Sequence, residues 1–189
     1  MAMLSQEVIT QMGFASVGAN VQISDRASFY GNARISLGDN VRIDDFCVLA
    51  AGAGGIELGR HVHIAVASTL IGAGKITLSD FAGLSSRVSI YSSSDDYSGA
   101  TMTNPTVPSQ YTGVTHADVF LGRHVIVGSG SVLLPGITLE DGVAIGALSL
   151  VTKDCNAFGI YTGNPARRIS ERKRDLLALE QQFLADQAR

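Results

Sequence analysis

Two adjacent carboxylates, Asp95 and Asp96, begin a long polar segment and are candidates for acid–base chemistry. Two neighbouring acids can raise the pKa of one member, which makes its carboxylate a better proton acceptor near neutral pH. His116 lies at the far end of the same segment, and an imidazole has an ordinary pKa suited to a general base. The alternative interpretation of the two acids is an Asx turn that only opens a loop.

A second informative group is a local excess of positive charge near the C-terminus. Residues 153–174 contain six basic and two acidic side chains, although the whole chain has a net charge of −3. A basic patch on an otherwise acidic protein suits a single phosphorylated ligand. The alternative, which stays open for Arg172, Lys173 and Arg174, is a solvated helix face whose cations pair with acids.

Composition excludes several classes of protein. The chain has 189 residues, of which 46% are hydrophobic, and this predicts one folded domain rather than a disordered chain. The acidic balance argues against a general nucleic-acid binder, and no apolar run approaches the length of a membrane span. The N-terminal residues lack the features of a secretory signal, so a cytoplasmic protein is expected. Two cysteines without a CxxC or a Cys/His spacing predict neither a disulfide framework nor a metal site.

The elements that must position these groups come from a six-residue repeat. LGRHV occurs at 58–62 and again at 121–125, and the fifth place of every hexad is uncharged and mostly small. One large and one small inward residue in six predicts a parallel β-helix of short strands and tight bends. The first places are all aliphatic or Phe: Val17, Ile23, Phe29, Leu37, Ile43, Leu49, Leu58, Ile64, Leu70, Leu78, Leu84, Ile90, Leu121, Val127, Leu133, Leu139, Ile145 and Val151.

Three hexads make an 18-residue coil with three flat sides, and about six coils follow one another. Two or three extra residues end each of the first three coils and are interpreted as bulges at one corner. The single domain is therefore expected to comprise an N-terminal cap (1–16), the β-helix (17–156) and a C-terminal tail with a helix (157–189).

The ends of the β-helix and its one long interruption have their own signals. Residues 4–13 predict a short helix with Ser5 as N-cap, and residues 166–187 predict an amphipathic helix. The segment 96–118 breaks the repeat and is expected to leave the prism as a loop. Loops of this length inside a regular solenoid are usually functional.

These features resemble the hexapeptide-repeat acyltransferases with a left-handed β-helix. Within that family the chain is most similar to sugar acetyltransferases of surface-polysaccharide pathways and to galactoside acetyltransferase. The resemblance runs from about residue 13 to residue 185, and the order of loop, two further coils, VTK, GNPA and terminal helix is its most specific part. The motifs are IYSSSDDYSG (90–99), MTNPTVP (102–108), IGALSLVTKD (145–154) and GIYTGNPARRI (159–169).

The resemblance implies an all-β fold, a left-handed parallel β-helix, and a homotrimer with active sites in the clefts between subunits. It implies acetyl-CoA as donor and a small-molecule sugar, expected to be nucleotide-linked, as acceptor, with direct transfer in a ternary complex. The alternative is a non-catalytic β-helix scaffold, which would need neither the loop carboxylates nor the basic cluster. A carbonic anhydrase on the same prism is disfavoured because the four histidines lack the required spacing.

The CoA contacts that the resemblance implies fall into two kinds. Lys153 and Arg167 match positions that contact a CoA phosphate or backbone group. Ser129, Ala147 and Thr152 match positions along the pantetheine arm, where a larger side chain would block close approach. The alternative for these three residues is an ordinary repeat turn.

The chain departs from galactoside acetyltransferase at the base. That enzyme has a histidine at the sixth place of the hexad before the loop, and this chain has Asp95 there, followed by Asp96. A hydroxyl acceptor needs a base near pKa 7, whereas a neutral amine is already nucleophilic and needs only to be oriented and then to lose a proton. The departure therefore favours an amino sugar, with O-acylation still open and with His116 as the alternative base.

Three further residues are predicted to bind the sugar. Tyr97 and Asn104 belong to the family-like loop motifs, and His63 could reach a substrate across a subunit cleft. The two histidines of the LGRHV units, His61 and His124, are expected to be exposed repeat residues.

The two cysteines, Cys47 and Cys155, occupy inward fifth places and are expected to be buried and inert.

Overall fold

Side chains at the first place of each hexad face a common interior. All are buried except Val17 and Phe29 in the first coil, which are partly exposed and pack against the core. The computed structural model describes residues 2–187 as a parallel β-helix with a short helix at each end. Residues 1, 188 and 189 of the predicted terminal segments lie outside this range. The six-residue period and the fold class are confirmed.

Each coil contributes three short strands. The first four coils contain β1 (Ser16–Val17), β2 (Gln22–Ile23), β3 (Ser28–Tyr30), β4 (Ile35–Leu37), β5 (Arg42–Ile43), β6 (Val48–Ala51), β7 (Ile56–Leu58), β8 (His63–Ile64), β9 (Thr69–Gly72), β10 (Ile76–Leu78), β11 (Gly83–Leu84) and β12 (Ser89–Tyr91). The chain continues with β13 (Ser93–Ser94), β14 (Thr115–His116), β15 (Val119–Leu121), β16 (Ile126–Val127), β17 (Val132–Leu133), β18 (Thr138–Leu139), β19 (Ala144–Ile145), β20 (Leu150–Val151), β21 (Gly159–Thr162) and β22 (Arg167–Glu171).

Apart from β13 and β14, the strands stack into three sheets, one on each side of the prism, and neighbouring strands in them run parallel except for β22. The first sheet has the order β1-β4-β7-β10-β15-β18, the second β2-β5-β8-β11-β16-β19-β21-β22, and the third β3-β6-β9-β12-β17-β20. Registers place aliphatic residues directly over one another, as in Ile43, Ile64 and Leu84 of the second sheet. Each such side chain contributes about 1.5–3 kcal/mol by leaving water, so the stack of coils is the core.

At the third corner, which holds the extra residues, the predicted inward position of the fifth residue of the hexad is not observed in the first two coils. Ala33 and Ala53 occupy fifth places but are exposed, because the chain bulges outward there by its extra residues. Ile35, Ile56 and Ile76 take the inward position instead and pair in register as the first residues of their strands. The extra residues therefore lengthen the strands of the first sheet as well as form the bulge.

The C-terminal end of the β-helix is longer than six coils. β21 pairs parallel with β19 and begins a seventh turn, and β22 then pairs antiparallel with β21. The prediction of a helix from 166 is wrong over residues 167–171, because an unpaired β21 edge would leave its backbone groups without partners. The terminal helix α2 spans Asp175–Gln187 only.

The N-terminal helix α1 spans Gln6–Gln11, inside the predicted range 4–13. Ser5 is its N-cap and accepts a hydrogen bond from the Val8 amide at 3.3 Å, as predicted. Ile9 is fully buried, so α1 covers the first coil.

The predicted loop leaves the prism between the fourth and fifth coils. β13 and β14 pair antiparallel at its base, with Ser93 opposite His116 and Ser94 opposite Thr115. Beyond this base the chain projects outward, with a 3-10 turn at Ser109–Tyr111. The amide of Val119 then donates to the Lys75 carbonyl at 2.8 Å, and the first sheet continues.

Candidate active site

The base of the loop fixes His116 against the prism. The Ser93 hydroxyl oxygen accepts a hydrogen bond from the Ala73 amide at 2.7 Å and lies 2.7 Å from Nδ1 of His116. Asp95 is the first residue beyond this pair of strands and is exposed. The structure thus holds Asp95 and His116, the two candidate bases, at the same end of the loop.

Asp96 has a different environment from Asp95. Its carboxylate accepts hydrogen bonds from the Ser98 amide at 2.8 Å, the Thr101 amide at 2.9 Å and the Thr101 hydroxyl at 3.1 Å. Hydrogen bonds from Ser98 and then Thr101 lower the pKa of Asp96 to about 2. Such a carboxylate is a weak base, and its geometry is that of the Asx turn considered as the alternative.

The predicted sugar-binding residues of the loop do not meet in one pocket of the single chain. Tyr97 is 93% exposed. The Asn104 side-chain oxygen accepts hydrogen bonds from the amide and the hydroxyl of Thr106, so it serves a local turn.

His63 lies elsewhere, in an open pocket on the second sheet. Its Nε2 is 2.9 Å from Oδ2 of Asp44, and Nε of Arg42 is 2.8 Å from Oδ1 of the same carboxylate. Burial raises the pKa of Asp44, but hydrogen bonds and charge from Arg42 and His63 outweigh it and hold that pKa below its ordinary value. The pocket is also lined by Ala65, Gly83, Leu84, Ser85, Ser86, Ile126 and Ser129.

The predicted CoA contacts form two groups on neighbouring corners. Thr152, Lys153 and Arg167 line one pocket together with Tyr161 and Ala166. Its lining includes the basic side chains Lys153, Arg167 and Arg168 together with the acid Asp154, and β20 leads directly into it.

The second group of predicted CoA contacts stands at the other end of β20. The register of β16 and β19 continues to Ser129 and Ala147, and the Leu148 amide donates to the Ser129 carbonyl at 2.9 Å. Leu148 is 77% exposed beside them. A long, thin ligand could follow this strand from one group to the other.

The C-terminal arginines hold the tail rather than form a solvated helix face. Arg172 donates to the carbonyls of His124 at 2.7 Å and Gly142 at 3.0 Å. The Arg174 guanidinium lies 4.5 Å from the ring centroid of Phe158. These contacts anchor the segment between β22 and α2.

The prediction that His61 and His124 are exposed repeat residues is wrong. Both rings stack on Phe81, with centroids 5.0 Å apart in each case. His124 also pairs with Glu180 of α2, whose side chain is 7% exposed. The reason is the terminal helix, which covers this corner and replaces water there.

The cysteines are buried as predicted. Burial, followed by the nearby charge of Asp154, raises the pKa of the Cys155 thiol to about 11, and burial also raises that of Cys47. Neither is a suitable nucleophile at neutral pH, because the thiolate is the reactive form. Within residues 2–187, no group of three or more potential ligands could hold a metal ion, and no helix there is long and apolar enough to cross a membrane.

Sequence reasoning missed Arg42, Asp44 and Ser85. Arg42 and Asp44 are charged residues on either side of the inward Ile43. From this pattern the sequence predicts only that their side chains face outward. Ser85 stands in a repeat turn that resembles many others. The pairing of Asp44 with His63 joins different coils, so no local signal could have shown it.

Known proteins with a similar sequence or structure show which family this chain belongs to. The dTDP-4-amino-4,6-dideoxy-D-glucose acyltransferase of Escherichia coli is 57% identical over 183 residues, which cover 97% of this chain and 95% of that protein. AntD, an N-acyltransferase from Bacillus cereus solved with dTDP and 3-hydroxybutyryl-CoA, is 42% identical with a TM-score of 0.95, over 99% of this chain and 98% of that one.

A maltose O-acetyltransferase from Clostridium difficile shares the fold at 23% identity and a TM-score of 0.54, over 89% of this chain and 75% of that one. No protein-family model matches the chain. The first two relatives, at 57% and 42% identity, nevertheless align with nearly the full length of the chain and so show the family. The chain belongs to the hexapeptide-repeat, left-handed β-helix family of sugar acyltransferases.

Proposed function

We propose that this chain is an N-acyltransferase that moves an acetyl group from acetyl-CoA to the amino group of dTDP-4-amino-4,6-dideoxyglucose. The observation that carries the proposal is the 57% identity, over nearly the whole chain, to the Escherichia coli acyltransferase named for that sugar nucleotide. A role in surface-polysaccharide synthesis and a cytoplasmic location are part of the proposal, since activated sugars are building blocks of such polymers.

Asp95 is the proposed base. AntD was solved with an aspartate replaced by asparagine or alanine, and with a serine ten positions earlier replaced by cysteine, alanine or threonine. This chain has two pairs of that spacing around the loop, Ser85 with Asp95 and Ser86 with Asp96. The Asp96 carboxylate is already used by its turn, which favours the pair of Ser85 and Asp95.

The proposed reaction is a direct transfer. The neutral amine attacks the thioester carbonyl, a C–N bond forms, and the negative charge that develops on the oxygen is stabilised by a backbone N–H or by the Ser85 hydroxyl. The attacking nitrogen then loses a proton to Asp95. The C–S bond breaks, the leaving thiolate takes up a proton, and the products are the amide and free CoA.

A homotrimer with shared sites fits the positions of these two residues. Ser85 ends the second side of the fourth coil, and Asp95 lies beyond the third side. About six residues separate the two corners, and at about 3.3 Å per residue they are roughly 15 to 20 Å apart. Both residues can lie beside the same reacting amine only if they come from neighbouring copies, so we place Asp95, Tyr97 and Asn104 against the His63 pocket of another copy.

The donor is proposed to lie along β20. Lys153 and Arg167 are placed to bind phosphate groups at one end, whereas Ser129, Ala147 and Thr152 leave room for the pantetheine arm. The AntD complex with 3-hydroxybutyryl-CoA makes the length of the acyl group a variable to measure.

The test is a thiol-release assay with two acceptors and several acyl-CoA donors. We expect turnover with dTDP-4-amino-4,6-dideoxyglucose and acetyl-CoA, and none with dTDP-glucose, which offers hydroxyl groups only. Turnover with the hydroxyl acceptor alone would refute N-acylation. Thermal denaturation with CoA checks the donor site separately, since a ligand at about 100 times its Kd adds roughly 2.7 kcal/mol to the native state.

Asp95→Asn tests the base. Loss of a general base costs about 10²–10⁴-fold in kcat, and CoA binding should be unchanged. Asp25→Asn is the matched control, because Asp25 is an exposed acid on the first coil. Equal kcat values for the wild type and Asp95→Asn would overturn the assignment.

A further inference from the structure

A polar cluster on the outward face of the second sheet has no place in the reaction as proposed so far. Arg42 and His63 lie opposite each other on β5 and β8, and Asp44 pairs with both. The outward positions along this sheet are Gln22, Arg42, His63, Gly83, Ile126, Ala144 and Ile160. In this row, within the described part of the chain, Arg42 and His63 alone are ionisable.

The hydrogen bonds determine which ring nitrogen of His63 carries the proton. The Asp44 side chain is only 9% exposed, and Arg42 donates to one of its oxygens, which keeps it an anionic acceptor. The other oxygen is 2.9 Å from Nε2 of His63, so Nε2–H donates to it. In the neutral imidazole, Nδ1 therefore carries the lone pair. The His63 side chain is 49% exposed and lines the pocket that contains Ser85 and Ser129.

The surroundings of His63 leave that lone pair suited to a donor on a ligand. At β5 the neighbouring ionisable groups are Arg42 and Asp44, and the Asp44 carboxylate pairs with both Arg42 and Nε2 of His63. From β11, the strand on the other side, Gly83 stands opposite His63 and adds no charge. The remaining polar groups of the pocket are the serine hydroxyls.

N-acylation of an amine that binds in its protonated form uses such a group. An amino sugar arrives largely as an ammonium ion near neutral pH, and that form has no lone pair for attack. It must lose one proton before the C–N bond forms and a second proton afterwards. Asp95 accounts for the second of these losses, and an acceptor beside the amine accounts for the first when the substrate binds as the ammonium ion.

We propose that His63 is a catalytic residue that accepts the first proton from the substrate ammonium at Nδ1, with Asp44 as the residue that orients it. This inference rests on the proposed N-acyltransferase function. The ammonium N–H bond breaks, the proton moves to Nδ1, and the nitrogen keeps the electron pair that attacks the thioester. The imidazolium then returns its proton to solvent or to the departing thiolate, so His63 ends neutral.

The test uses the full-length enzyme and the pH dependence of kcat/KM for the amino sugar. His63→Gln is the informative variant, because the glutamine amide can still donate to Asp44 but cannot accept a proton. We expect kcat/KM to fall by about 10²-fold at pH 7 and to recover as the pH rises above the pKa of the substrate amine. Asp44→Asn should act in the same direction, because an amide can donate to Nε2 and favour the wrong tautomer.

His61→Gln is the matched control, since His61 lies two residues earlier in the same repeat unit but stacks on Phe81 at another corner. It should leave the pH profile unchanged. Addition of imidazole to His63→Ala should restore part of the activity if a proton acceptor is what is missing.

The outcomes separate the inference from the function on which it rests. A wild-type enzyme that fails to acylate the amino sugar with any acyl-CoA would overturn the proposed function. An active wild type whose His63→Gln variant is unaffected, or is impaired equally at every pH, would overturn the role of His63 alone.

Discussion

Mixing two inactive variants would show whether one active site draws on two copies of this chain. Ser85→Ala and Asp95→Asn each remove one of the two residues proposed to meet at the acceptor. In a single chain they are separated by one whole side of the prism, roughly 15 to 20 Å. Each variant alone is expected to be nearly inactive, because every site in a uniform trimer would lack the same group.

The size of the recovery follows from the symmetry. Suppose that each site takes its serine from one copy and its aspartate from the next. In a random 1:1 mixture, a site is intact when the serine comes from an Asp95→Asn copy and the aspartate from a Ser85→Ala copy. Each condition holds for half of the sites, so about one quarter of the wild-type activity should return in a cyclic trimer.

The assay is thiol release after co-expression, or after the two variants are unfolded and refolded together, with mixed trimers verified by native mass spectrometry. Activity near one quarter of the wild-type value supports shared sites. Verified mixed trimers without recovered activity would refute them. High activity of Ser85→Ala on its own would show instead that Ser85 is not needed, and Asp95 would then have to be paired with another residue.

Three further predictions concern the fold and the loop. Glu180→Ala removes the carboxylate that pairs with the partly buried His124, and a hydrogen bond to a charged group contributes about 1.5–3 kcal/mol, so calorimetry should show a lower Tm, whereas an unchanged Tm would mean that α2 contributes little. Ile64→Ala in the core should cost about 2–5 kcal/mol, measured by denaturant unfolding, and a value below that range would mean that the coils collapse around the gap. Because the pKa of Asp96 is lowered to about 2 from 3.8, its hydrogen bonds should be intact above pH 4 and lost as the pH falls toward 2. Amide resonances of the loop should follow that transition, and a midpoint near 4 would contradict the turn.

Much of the fold could be predicted from local patterns. A buried aliphatic residue at every sixth position is a property of the chain alone, and Ser5 carries its own helix-capping signal. The third corner could not be predicted, because Ile35 and Ala33 are both apolar and only the path of the chain decides which one turns inward. The predicted start of the terminal helix was wrong because residues 167–171 pair with the free edge of β21. This tertiary contact outweighs the helical spacing of the apolar residues in that segment.

The candidate site divides in the same way. The sequence by itself determined that Asp95 stands where the repeat ends and that small residues line the corner near Ser129, since both follow from the count of hexads. Tertiary structure alone decided that Asp96 serves a turn and that His63 is oriented by Asp44 from another coil. The physical reason is that a hexad fixes only which way a side chain points. Its hydrogen-bond partner comes from a coil about 20 residues away, stacked at about 4.8 Å, and that neighbour is defined only when the coils are in register.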